Sequence, residues 1–134
     1  MSKDSFQPSS KQIWDQVSWG IAALEAGVDY AQIIHHKHDD LAFELLGVTD
    51  IADVLDWVLV FLREIMEKGP KECFIPHGWV DRCYESGYNG LPLFPYVFES
   101  QHFPNQEIYL KFGILKTTDE ATPHIYCHLD LHAS

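Results

Sequence analysis

"EIYLKFGIL" (residues 107–115) and "HIYCHLDLH" (residues 124–132) decide how this chain folds. Each alternates with the period of two that marks a strand half-buried against a core. One face carries Ile108, Leu110, Phe112 and Ile114 with Ile125, Cys127, Leu129 and Leu131. The other carries Tyr109 and Lys111 with His124, Tyr126, His128, Asp130 and His132. Because a one-residue slip would invert every side chain, the alternation fixes which residues share a face. The intervening "KTTDEATP" (116–123) reads as the loop of a hairpin. Ile108, Leu110, Phe112, Cys127 and Leu129 are therefore expected under the helices. Tyr109, Lys111, Tyr126 and His128 are expected on one exposed sheet face.

Upstream of this hairpin the pattern is helical. In "SSKQIWDQVSWGIAALEAG" (9–27), Ser9 or Ser10 caps a helix, and Gly27 stops it. Ile13, Trp14, Val17, Ile21 and Leu24 form its apolar stripe. A second helical stretch is predicted over Tyr30–Leu46, with Asp39 or Asp40 as a second cap and Gly47 at its end. The third helix is the clearest, with Thr49 as cap and Asp50 and Asp53 at the positive end of its dipole. Ile51, Val54, Leu55, Val58, Leu59, Leu62, Ile65 and Met66 give it a wide apolar stripe, and Gly69-Pro70 ends it after Lys68. Beyond Pro70 short apolar-aromatic runs ("ECFI", "WVDRCY", "LFPYVF") are punctuated by Pro and Gly, as in a sheet. Helices first and strands second predict an α+β fold, with N-terminal helices packed on one face of a C-terminal antiparallel sheet.

The 134 residues suit one domain, expected over 10–134, preceded by a flexible N-terminal arm over the polar residues 1–9. No stretch reaches the roughly 20 apolar residues of a membrane span, and no signal-peptide pattern opens the chain, so the expected location is cytoplasmic. Cys73, Cys83 and Cys127 lack CxxC spacing and read as small buried hydrophobes. The net charge is −11, with twelve acids and five Lys or Arg in residues 1–70 and eight acids and four in residues 71–134. Such a body repels a nucleic-acid backbone at long range and attracts a basic partner.

Three chemistries suit the polar hairpin face. His128 and His132 lie about 13 Å apart along a strand, too far to share a metal ion, whereas neighbours at alternate positions are about 7 Å apart. Two ligands from one strand are too few, and a solvated turn is the commoner role for the "HHKHDD" run (35–40), so neither a metal nor a cofactor is expected. Metal-free RNA cleavage by the ribose 2′-OH needs a proton acceptor, a proton donor and cations against the phosphorane. His128, Tyr109, Tyr126 and Lys111 are residues of those kinds. Docking of a basic protein on Tyr, Trp and His anchors is the third possibility.

In order and spacing, "LGVTDIADVLDWVLVFLREIMEKG", "WVDRCY", "EIYLKFGI" and "HIYCHLDLH" resemble the MqsR family of bacterial mRNA-cleaving toxins, relatives of the RelE group. The resemblance spans most of residues 13–132. It implies a compact α+β fold and a metal-independent endoribonuclease that a cognate antitoxin neutralises. It also implies catalytic roles for Lys68, for Tyr109 and Lys111 of the "YLK" motif, and for His128 as counterpart of a basic residue on the closing strand. Where the family has a glutamine after the tryptophan, Val80 follows Trp79, and Arg82 is the available substitute. The chain is acidic where the family's toxins are usually basic, and "ESGYNGLPLFPYVFESQHFP" (85–104) interrupts the match. Two functions are thus carried forward. One is an RNA-cleaving toxin with an antitoxin partner. The other is a non-catalytic acidic binding protein (an immunity protein, antitoxin or inhibitor) that masks a basic nuclease or other nucleic-acid-binding protein.

Overall fold

The structure, a computed structural model, describes residues 6–33, 47, 50–75, 80–83, 90–104, 106–116 and 122–133; for residues 33, 51, 81, 83 and 128–133 it describes the backbone alone. Helix α1 (Ser10–Ala26) leads through a single 3-10 turn (Val28–Tyr30) into strand β1 (Ala31–Ile33). Helices α2 (Ile51–Lys68) and α3 (Pro70–Cys73) follow, then strands β2 (Asp81–Cys83), β3 (Leu91–Glu99), β4 (Gln106–Leu115) and β5 (His124–Ala133). The five strands form one sheet in the order β1-β5-β4-β3-β2. The fold is α+β, with the long helices before the long strands.

The β4–β5 hairpin pairs like face with like face, in the register Leu110 opposite Leu129, Lys111 opposite His128 and Phe112 opposite Cys127. Ile108, Leu110, Phe112, Ile125 and Cys127 are fully buried together with Val17, Val54, Val58, Phe61, Leu62 and Ile65 of the two long helices. The side chain of Leu129 lies outside the described residues. Gly20 lets α1 settle onto this layer: a Cβ there would stand 2.9 Å from Leu62 and 3.2 Å from Ile125. A glycine in mid-helix costs up to about 1 kcal/mol in propensity, and here it permits a close helix–sheet approach.

At the start of α1 the Ser9 hydroxyl accepts from the Gln12 N–H at 3.1 Å, while the Gln12 side chain accepts from the Ser9 N–H at 2.8 Å. This reciprocal pair satisfies two otherwise unpaired helix-end donors. Ser9→Ala should therefore cost about 1 kcal/mol and Ser9→Gly only a few tenths, measured as the shift in urea midpoint. For α2 the cap is Asp50, not the expected Thr49: its carboxylate accepts from the Ala52 N–H at 2.9 Å.

Three other expectations need correction. Residues 31–33 were expected in a helix but form β1, parallel to β5 in the register Ala31–Ile125, Gln32–Tyr126 and Ile33–Cys127. The sheet is thus mixed rather than wholly antiparallel, because pairing with a strand remote in sequence overrides a local helical period. The rest of that expected helix, 34–46, including "HHKHDD", lies outside the described residues. "ECFI" contributes no strand: Pro70 begins the one-turn α3, and Phe74 then makes an isolated bridge to Tyr96. Nor is residue 6 loose, since Phe6 and Val80 exchange backbone hydrogen bonds of 3.2 and 2.8 Å and the Phe6 ring meets Phe94 edge-on.

The stretch that interrupts the family resemblance supplies β3, an interior strand. Its Phe94, Tyr96 and Phe98 enter the main core, and Leu91 and Leu93 are buried on the opposite face. Pro95 fits an interior strand for a definable reason. Its carbonyl accepts from the Ile75 N–H at 3.3 Å, on the side away from β4. The N–H that proline lacks would point the same way, so no bond to β4 is lost.

Candidate functional site

The sheet face turned away from the helices has cross-strand rows that follow from the register. Val97, Tyr109 and Asp130 occupy one row, and Pro95, Lys111 and His128 the next. Gln32 then lies beside Tyr126, which pairs with Gly113. Directly opposed residues have Cβ atoms about 5 Å apart. Tyr109, Lys111 and Tyr126 are half-buried rather than open. Tyr126 packs against Leu91 and Leu93 in a small second apolar cluster. His124 lies against Tyr30, with ring centroids 5.1 Å apart. Part of the unusual aromatic and histidine content of this face is therefore packing. His128, Asp130 and His132 hold known register positions, and their side chains lie outside the described residues.

The other two residues with an implied catalytic role are elsewhere. Lys68 is exposed in the last turn of α2, on the helical side of the sheet, near the buried Cys73. Burial pushes the Cys73 thiol up, and the Lys68 charge opposes that shift in part. Arg82 pairs with Pro92 across β2 and β3, a register position on the helix-facing side of the sheet. Its guanidinium donates to the Gly90 carbonyl at 3.1 Å and lies 5.7 Å from the centre of the Phe6 ring. Tyr109 and Lys111 alternate with the buried Ile108, Leu110 and Phe112, so the sheet separates them from Lys68 and from Arg82. The helix-facing Tyr96 offers no proton chemistry at neutral pH: burial, and to a lesser degree Cys73, push its hydroxyl far up, and it donates to the Ile13 carbonyl at 2.9 Å.

A concavity not foreseen in the sequence runs along the outer side of α2. It is a groove of about 300 Å³ lined by Asp53, Asp56, Trp57, Val60 and His102. The four α2 residues recur at i, i+3, i+4 and i+7, so they form one helical stripe. That spacing is visible in the sequence, beside the wider apolar stripe that faces the core. His102, from the loop after β3, could not have been placed without the tertiary structure.

These features define a small α+β domain whose mixed sheet has helices on one face. No known protein family, curated protein or solved structure matches the chain. None of the described helices is long and apolar enough to cross a membrane.

Proposed function

We infer that the chain is a non-catalytic acidic binding protein that engages a basic protein partner, in the manner of an immunity protein, antitoxin or inhibitor. The observation carrying this reading is the division of cations by the sheet, which leaves Lys111 on the Tyr109 face without Lys68 or Arg82. Charge stabilisation of a phosphorane needs converging donors. With a net charge of −11, the described cations, which do not converge on that face, supply little local field to hold RNA against the repulsion of the whole body. The same charge accelerates encounter with a basic protein.

Titrating the protein with a fluorescent hexa-arginine peptide and with a fluorescent single-stranded RNA tests the reading. The peptide is expected to bind, with affinity falling steeply between low and high salt, and the RNA is expected to remain free. RNA binding without peptide binding would reverse the assignment.

A second reading, the metal-independent endoribonuclease toxin, is favoured by one row of the sheet: Lys111 and His128 are paired across β4 and β5, with Tyr109 in the adjacent row. On that reading RNA is cut to 2′,3′-cyclic phosphate ends in the presence of a chelator. Lys111→Ala should then slow cutting by on the order of a hundredfold. Intact RNA after prolonged incubation with the wild-type protein would eliminate it.

A further inference from the structure

We propose that the α2 groove is the recognition site for an arginine side chain of the basic partner, an assignment that rests on the binding-protein reading and narrows it. The floor is apolar and rigidly held. Trp57 meets Phe61, Phe103 and His102 at ring-centroid distances of 5.8, 5.1 and 5.6 Å. The wall is pinned to α2 by Glu64, a buried residue whose carboxylate accepts from the Ser100 hydroxyl at 2.7 Å and the Gln101 N–H at 3.3 Å. The Ser100 hydroxyl in turn accepts from the His102 N–H at 3.2 Å. The groove is therefore formed before any partner arrives, and little ordering cost falls on binding.

Its chemistry selects the occupant. Asp53 and Asp56 are exposed at the lip, and no lysine or arginine is among the described lining residues. An extended side chain with an apolar stem and a cationic head matches an indole and a valine flanked by two carboxylates. Arginine fits better than lysine, because a guanidinium is more weakly hydrated, stacks on aromatic faces and bonds carboxylates in a fork. The overall charge of −11 favours approach of the same kind of partner.

The test is a titration of isotope-labelled protein, followed by amide and indole NMR signals, with N-acetyl-arginine methylamide. The citrulline analogue, which keeps the shape and loses the charge, is the control. Arginine-dependent shifts are expected at residues 53–60, at His102 and at the Trp57 indole N–H, with the citrulline compound nearly silent. Asp53→Asn with Asp56→Asn should weaken binding by about tenfold through the loss of two charge-assisted contacts. Both positions are exposed, so the double variant keeps the fold, and its unchanged spectrum elsewhere verifies that. Equal responses to the two compounds, shifts centred elsewhere, no shift at all, or a double variant that binds as well as wild type would each overturn the assignment. Hexa-arginine binding that persists with shifts away from α2 would remove the groove and leave the binding-protein reading standing. Loss of hexa-arginine binding altogether would remove both.

Discussion

Phe61→Ala should lower folding stability by roughly 3–5 kcal/mol, the usual cost of emptying an aromatic site in a close-packed core. Phe61 is fully buried and lies within 6.1 Å, centroid to centroid, of Trp57, Phe98 and Phe103. It thus joins α2 to β3 and to the loop behind the groove, and no single neighbour can collapse into the space it leaves. At a urea slope of about 1.5 kcal/mol/M the midpoint should fall by roughly 2–3 M. Phe61→Leu, which fills most of the volume, should cost much less. A midpoint for the alanine variant close to wild type would mean that this ring cluster is not the joint described.

Gly113→Val is expected to be comparably damaging, by the opposite mechanism. A Cβ at Gly113 would stand 2.4 Å from the Pro92 carbonyl oxygen and 2.9 Å from the Leu91 side chain. Real contacts of this kind do not occur, and the first obstacle is backbone, so β3 and β4 must separate locally. Overpacking ordinarily costs about 1–3 kcal/mol and more where the backbone must move, so a loss near the upper figure is expected for valine. Gly20→Ala provides the contrast. Its first obstacle is the Leu62 methyl at 2.9 Å, and a side chain can shift. The gain in helix propensity of about 1 kcal/mol offsets part of the strain. Denaturation curves for the two variants should therefore differ widely, and equal losses would contradict the assignment of backbone approach at residue 113.

What could be read from the sequence depended on how locally each feature is determined. The hairpin was legible because alternation over ten-residue strands leaves one choice of face that buries Ile108, Leu110 and Phe112 together. The stripe of α2 was legible for the same reason at helical spacing. Trp14 marks the limit of that reasoning: it fell within the apparent stripe of α1, yet it is 50 % exposed, because Ile13, Val17, Gly20 and Ala23 already fill the buried face. β1 was not legible, since three residues carry no usable period and their partner is remote in sequence. The candidate site was legible by face and not by depth. That Lys111 and His128 share a face follows from alternation, but their direct pairing needed the structure, and the positions of Lys68 and Arg82 depend on which side of the sheet their elements pack. The groove on α2 needed His102, brought in from another element.

The place of β1 also sets a timetable for the chain. Gln32 and Cys127, joined by a contact of 3.4 Å, are 95 residues apart in sequence. At a ribosomal rate of about 5–20 residues per second, β1 is made roughly 5–20 s before its neighbour. During that interval α1 has no β4 or β5 to cover Val17 and Gly20, and α2 has no sheet beneath Val58 and Leu62. The apolar faces of both helices are thus available to chaperones, or to each other, until the last hairpin is made. The sheet then closes on its first strand and its last together.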